Sequence, residues 1–315
     1  MVGSTTAPIG FLIVSHREEA QLLRLVTALN RLYGVPPIVC HHDFGQAELS
    51  PDRFPANVRF VRPHFKTAWA KWSVVEATLA ALALLYEGGG PDWFVLLSAS
   101  DYPVRPGTDV IEELSASPCD AYVDARPIAG ARAAASLHGE LNPKLGHLSF
   151  PSIEHVKWQH YVGAELWIPI VRRKPRWRLG RYTIKLPFAA RNRFPEQFGM
   201  FHGDHWFTAN RKSARVLLDP RPEHLTLQRH LRMRASPDES YYQTVLANTP
   251  GISICLNNKR YADWTKLDYH PKEITEADLP EVFASNAHFA RKFAPAAPAL
   301  DRIDERLGIV DGPSD

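Results

Sequence analysis

Cysteine is scarce in this chain, with three in 315 residues, and no pair has the CxxC spacing. That excludes a disulfide-stapled scaffold and offers no zinc-ribbon or thiol-redox pattern. Charge of one sign is lacking too. Thirty-seven basic and 34 acidic residues leave a formal net charge of +3, too weak a field to argue for a nucleic-acid partner. Long hydrophobic runs are also absent. The longest, in ATLAALALLYEGGG, ends at a glycine stop after about ten residues, short of the ~18 a membrane span needs. No basic segment precedes GFLIV, which is itself too short for the apolar core of a signal peptide. Three cysteines cannot all pair, and Cys40 and Cys255 lie in the apolar stretches IVCHH and ISICLN. They read as small buried thiols in strands, so the expected setting is cytoplasmic and reducing.

What is present is an ordinary globular balance, 45% hydrophobic and 23% charged, punctuated by 26 prolines and 18 glycines. Gly10–Ser15 is a continuous apolar run, the signature of a strand buried on both faces. Leu22, Leu25, Val26, Leu29 and Leu32 then fall at helical spacing. IVCHHD and VRFVRP read as further strands, Trp69–Tyr86 as a helix, WFVLLS as a strand, DVIEELSAS as a helix and DAYVDARP as a strand. This alternation predicts an α/β fold with a mixed, mostly parallel central sheet flanked by helices. The pattern loosens over about 127–200, where RRKPRWRLGRYTIK and AARNR place nine basic residues and no acid between Glu165 and Glu196. From Gly203 it resumes, with HWFTANRKSARVLL, SPDESYYQTVLAN and GISICLN, and a tail helical in pieces.

Ligands of such sheets bind beyond the carboxyl ends of the strands. The polar groups expected there are Ser15-His16, His42-Asp43 and Ser100-Asp101. Ser236-Pro237-Asp238-Glu239 has the spacing of a capping box with proline at the first helical position. Glu239 is then either a helix cap or a rigidly held general base. Asp101 alone neither demands nor excludes a metal. His41 and His42 are neighbours on a strand and point to opposite faces, a poor arrangement for shared metal ligation. Lys272, Arg291 and Lys292 are either solvated charges or a clamp for a diphosphate. The 172–193 cations, interleaved with Trp177 and Tyr182, suit an anionic lipid surface, sugar rings or a plain charged loop. P-loop, GxGxxG, HExxH and GxSxG signatures are all missing.

Taken in order, FLIVSH, HHD, WAKWSVVEATLAAL, WFVLLSASDYPV, GDHWFTANR, SPDESYYQTVLAN, NKRYADW, HPK and HFARKF resemble the core-2/I-branching glycosyltransferases. That family (glycosyltransferase family 14) also holds xylosyl- and glucuronosyltransferases, and the likeness runs from about Gly10 to Phe293, closest to its shorter bacterial members. It implies one GT-A-like catalytic domain across 1–315, with a nucleotide-binding half at about 10–125 and an acceptor and catalytic half at about 126–300. It further implies inversion at the anomeric carbon, a UDP-sugar donor and no divalent metal or other cofactor. Carried over by motif, Glu239 is the catalytic base. Lys272 and Lys292 replace the metal, with Arg260 a rival to the first. Val14, His16 and Asp43 lie on the nucleoside side, and Asp101 lies near the donor. Trp264 meets the acceptor sugar, with Trp206 of GDHW beside it. The motif's glycine before Asp101 is replaced by Ala99. The function expected is transfer of a sugar, GlcNAc foremost, to a glycan or lipid-linked acceptor of a cell-surface polysaccharide, with the 172–193 segment touching the inner face of the membrane. UDP-xylose or UDP-glucuronate as donor, a metal-dependent transferase using Asp101, and a glycan-binding protein without turnover are the competing readings.

Overall fold

The computed structural model describes residues 6–127, 136–138, 198–232, 234, 236–265 and 270–309. At its centre is β1 (Ile9–Ser15), whose alternate side chains feed two cores: Phe11 and Ile13 on one face, Leu12 on the other. This two-sided burial explains its unbroken apolar run, and each such side chain taken from water contributes about 1.5–3 kcal/mol. Parallel partners flank it, β2 (Ile38–His42) on one side and β4 (Trp93–Ser98) on the other. α1 (Glu19–Tyr33) buries Leu22, Leu25, Val26 and Leu29 on the Phe11 side. It stops at Gly34, whose left-handed φ of 66° lets its N–H close on Asn30 O. α2 (Trp72–Tyr86) covers the other face through Val75, Ala81, Leu82 and Leu85. It begins three residues later than its spacing predicts, and Ala70 just before it has a left-handed φ of 57° that no helix continues through.

The full sheet has eight strands. β3 (Val58–Phe60), β2, β1 and β4 are followed by β10 (Thr208–Asn210), β6 (Ala121–Tyr122), β11 (Ser253–Cys255) and β8 (Ser136–His138). All neighbours are parallel except at β10, which runs antiparallel to both β4 and β6. α3 (Gly107–Ser115) and α7 (Pro298–Leu307) join α1 on its face through Val110, Leu114, Leu300 and Ile303. α4 (Arg211–Leu218), α5 (Pro222–Leu231) and α6 (Tyr241–Ala247) join α2 through Leu217, Leu227, Leu231 and Val245. The expected α/β architecture, with helices on both faces of a mostly parallel sheet, is the one observed. A second sheet of β12 (Arg260–Ala262), β13 (Phe289–Arg291) and β5 (Tyr102–Pro103) stands beside it. Among the described residues no helix is long and apolar enough to cross a membrane.

The cysteine expectation is corrected. Cys119, just before β6, and Cys255, at the end of β11, form a disulfide with Cα atoms 5.8 Å apart. They are 136 residues apart in sequence, and the parallel pairing of β6 with β11 is what brings them together. Only Cys40 is a free, buried thiol. The cysteines therefore give no argument for a reducing setting. In denaturant without reductant, one thiol per chain should react with a thiol reagent, and three after reduction. Three reactive thiols in both conditions would show the two sulfurs unjoined.

Candidate active site

The parallel strands deliver their following loops to one edge of the sheet. Ser15 ends β1 and His16 follows it, Asp43 follows β2, Ser98 ends β4 with Asp101 just beyond, and Asp124 follows β6. Because β10 is reversed, the residues that precede it, Asp204, His205 and Trp206, arrive at the same edge. The second sheet ends there as well. β5 starts directly after Asp101 and pairs antiparallel with β13, with Ala290 opposite Tyr102, so Arg291 at the end of β13 meets Asp101.

That meeting uses up the Asp101 carboxylate. Oδ1 accepts from Arg291 Nε at 3.0 Å and from Ser98 Oγ at 2.7 Å, while Oδ2 accepts from the Ser98 N–H at 3.0 Å. The Arg291 guanidinium lies 4.6 Å over the Trp206 ring. Asp101 therefore braces a cation instead of presenting free oxygens, and Trp206, 9% exposed, supports that cation where the sequence reading had it meeting the acceptor. Ala99 does not disturb this turn, since it is not among the residues with positive φ and needs no glycine. Main-chain bonds lace the adjoining segments together: Phe293 N–H to Ser100 O at 3.0 Å, Ile274 N–H to Lys292 O at 2.8 Å, and Lys272 N–H to Asp263 O at 2.7 Å. Lys272 donates to Asp278 at 2.6 Å. Lys292 has no carboxylate partner among the described residues. It acts on His16, whose pKa is lowered first by burial, then by Arg17, with His42 and Lys292 adding and Asp43 opposing. Lys292, His16 and Asp43 thus share one corner, past the end of β1, where Val14 is half-buried.

Glu239 also acts on this edge, through Asp204. Pro237–Glu239 is a single 3-10 turn, and α6 begins only at Tyr241. The capping box is corrected here: Ser236 is left-handed at φ 49° and makes no side-chain cap, because its N–H is drawn to Ala70 O at 3.1 Å. Glu239 is held instead through its carbonyl, which accepts from the Gly203 N–H at 2.8 Å. Gly203 is irreplaceable in this packing, since a Cβ there would sit 1.7 Å from Asp124 O. Next to it, Asp204 accepts from Asn258 Nδ2 at 2.9 Å. Burial raises the Asp204 pKa to about 7; Arg291 opposes, and Asp124, Asp101 and Glu239 push it further up. Asp238 is raised to about 6 by burial, with Asp204 adding, and burial lowers His205 to about 3.

Three further sequence-predicted residues are placed as follows. Asp43 is sealed from solvent, and its oxygens accept from Gln46 Nε2 at 2.6 Å, the Thr67 N–H at 2.6 Å, Thr67 Oγ1 at 2.9 Å and the Gly45 N–H at 3.1 Å. Burial works to raise its pKa, but the Gln46 and Thr67 bonds bring it down to about 2. It latches a loop, with three of its four bonds on Oδ2 and one on Oδ1. Arg260, expected as a phosphate ligand, is 1% exposed and its guanidinium donates to Leu96 O at 3.1 Å and Asn258 O at 3.1 Å. It is a core tie beneath the cleft. Trp264 is partly exposed near the Lys272 segment, and its buried indole N–H has no partner. The sequence reading weighed Arg291 without choosing it and missed Asp204, Asp124 and Arg126; charges in GDHW and DAR next to strand ends were the available signal. The 172–193 segment lies outside the described residues. Among those described, no group of three or more His, Cys, Asp or Glu is placed to hold a metal ion.

A family model for the core-2/I-branching enzymes matches residues 9–136 and 159–286. The chain belongs to that family. The core-2/I-branching match takes in Asp101, Arg126, Asp204 and Glu239, and ends short of Arg291 and Lys292. Among curated relatives, a β-glucuronosyltransferase, GlcAT14B of Arabidopsis thaliana, is 28% identical over 80% of this chain and 52% of its own length. Xylosyltransferase oxt of Drosophila melanogaster is 23% identical over 77% of this chain and 26% of its own, and human xylosyltransferase 1 is 24% identical over 82% and 24%. The chain thus spans about half the plant relative and about a quarter of the animal ones. A looser likeness in shape links it to galactosyltransferase LgtC in complex with donor and acceptor sugar analogues: TM-score 0.39, 10% identity, 96% of this chain and 98% of that one.

The raised Asp204 pKa has a stability consequence. The folded state favours the protonated carboxyl, so stability is lost as pH rises from about 4 toward the folded value of about 7 and levels off above it. Asp204→Asn should therefore gain about 1 kcal/mol over the parent at pH 8 and nothing at pH 4, read by thermal unfolding. A pH-independent difference would refute the raised value.

Proposed function

We propose that this chain is an inverting glycosyltransferase that moves a sugar from a UDP-sugar to a hydroxyl of a glycan or lipid-linked acceptor without a divalent metal. The observation that carries the reading is a convergence at Asp204, on which Glu239 and Arg291 both act. Glu239 is held there through its carbonyl by the Gly203 N–H, and Lys292 follows Arg291 directly in the chain. In the reaction, the acceptor oxygen attacks C1 of the donor sugar while the bond from C1 to the β-phosphate oxygen breaks on the opposite face. Glu239 takes the acceptor proton. The charge growing on the departing UDP is offset by Lys292 and by Arg291, as a divalent ion would otherwise do. Lys272 contributes only if it leaves Asp278. In-line attack inverts the anomeric configuration.

Metal independence is supported by the state of Asp101, the acid nearest the expected diphosphate, whose oxygens are engaged by Arg291 and Ser98. For the donor, the names of the relatives favour glucuronate and xylose over the GlcNAc that the motifs alone suggested.

Glu239→Gln should lower transfer by at least about 10²-fold while UDP binding changes by less than about twofold. Turnover by that variant at the parental rate would remove Glu239 as the base. Full activity of the parent in EDTA is expected, and activity lost in EDTA and restored by manganese would replace the cation pair with a metal mechanism.

A further inference from the structure

We propose that Arg126 selects the donor by holding the C6 carboxylate of a uronosyl unit, which makes the sugar donor UDP-glucuronate; this rests on the glycosyltransferase reading above. Arg126 begins β7 (Arg126–Pro127), four residues beyond the end of β6 and at the same sheet edge as Asp101. β7 pairs antiparallel with β9 (Phe201–His202), so Arg126 lies opposite His202, next to the Gly203 that holds Glu239. Its Nε donates to Asp124 Oδ1 at 3.0 Å, and Asp124 Oδ2 accepts from the Asp204 N–H at 3.3 Å. Asp204 in turn feels both Glu239 and Asp101. Arg126 is thus joined through the Asp124 carboxylate to the main chain at Asp204, the acid on which Arg291, Asp101 and Glu239 all act, and we seat the transferred ring beside it.

The residue is 9% exposed, yet its Nη2 is buried with no hydrogen-bond partner. A buried guanidinium nitrogen left unmet is costly, and native structures seldom leave one without a reason. Asp124 satisfies the Nε side and leaves the far nitrogen open. The planar fork of a guanidinium is matched to a carboxylate better than to a single hydroxyl. Xylose carries no C6 at all, GlcNAc carries a hydroxyl there, and only the uronate supplies a charge. The relatives named as glucuronosyltransferases agree with this, but the orphaned nitrogen is the argument.

UDP-glucuronate and UDP-xylose differ only by that carboxylate, so calorimetric titration of the full chain with UDP and with each sugar nucleotide isolates it. The parent should bind UDP-glucuronate at least about tenfold tighter than UDP-xylose. Arg126→Gln should bring the two within about twofold of each other and leave UDP and UDP-xylose affinities within about twofold of the parent. Arg126→Lys, which keeps the charge without the fork, should retain part of the preference and carries the test if the glutamine variant does not fold. Absence of a uronate preference in the parent overturns the proposal. So does its persistence in the variants, or an equal loss for all three ligands in a folded variant. UDP binding without uronate preference strikes Arg126 alone, whereas no UDP binding by the parent strikes the transferase reading itself.

Discussion

The ion pair between Asp101 and Arg291 is the contact on which the rest of the cleft depends. Asp101 belongs to the end of β4 in the large sheet, and Arg291 to the end of β13 in the small one, so a 3.0 Å bond couples the two sheets where their ends converge. Two bonds from Ser98 fix the acid, and the Trp206 ring supports the guanidinium. With the carboxylate sealed from solvent and the Arg291 side chain 14% exposed, neither partner can be lost cheaply. Removing one leaves an uncompensated buried charge, a loss of about 3–5 kcal/mol. Lys292 follows directly in the chain, so its position is set by this pair.

The same logic recurs around the edge. Asp43 spends its lone pairs on the 45–67 loop, Asp124 is shared between Arg126 and the Asp204 N–H, and Lys272 is met by Asp278. Arg260 ties the carbonyls beneath them. Most charged groups near the cleft therefore hold other groups in place. Among the groups left unmatched against this background are Lys292, which has no carboxylate partner among the described residues, and Arg126 Nη2.

Asp124, Asp101 and Glu239 all act on Asp204, and Asp204 on Asp238, so the two buried acids sit among like charges. Burial answers this by keeping Asp204 and Asp238 largely protonated at mildly acidic pH. Lowering the charge around Glu239 in this way lets a carboxylate base coexist with its neighbours beside an anionic donor.

From the residues alone, the α/β class, the strands β1, β2 and β4, the helices α1 and α2 and the order of motifs marking the family were all legible. Each rests on local information: two-sided burial demands an unbroken apolar run, and one-sided helical burial demands a period of 3.6. The pairing of Cys119 with Cys255, the 3-10 turn at Glu239 and the inward-facing roles of Asp43, Arg260 and Trp206 were not. Those depend on which donors and acceptors meet across 20 to 190 residues of chain, and spacing along the chain carries no record of such meetings. The sequence determined which polar groups reach the sheet edge. Only the tertiary structure decided which of them are spent on one another and which are left to meet a substrate, because a lone pair or a charge is free only when no distant partner has been folded against it.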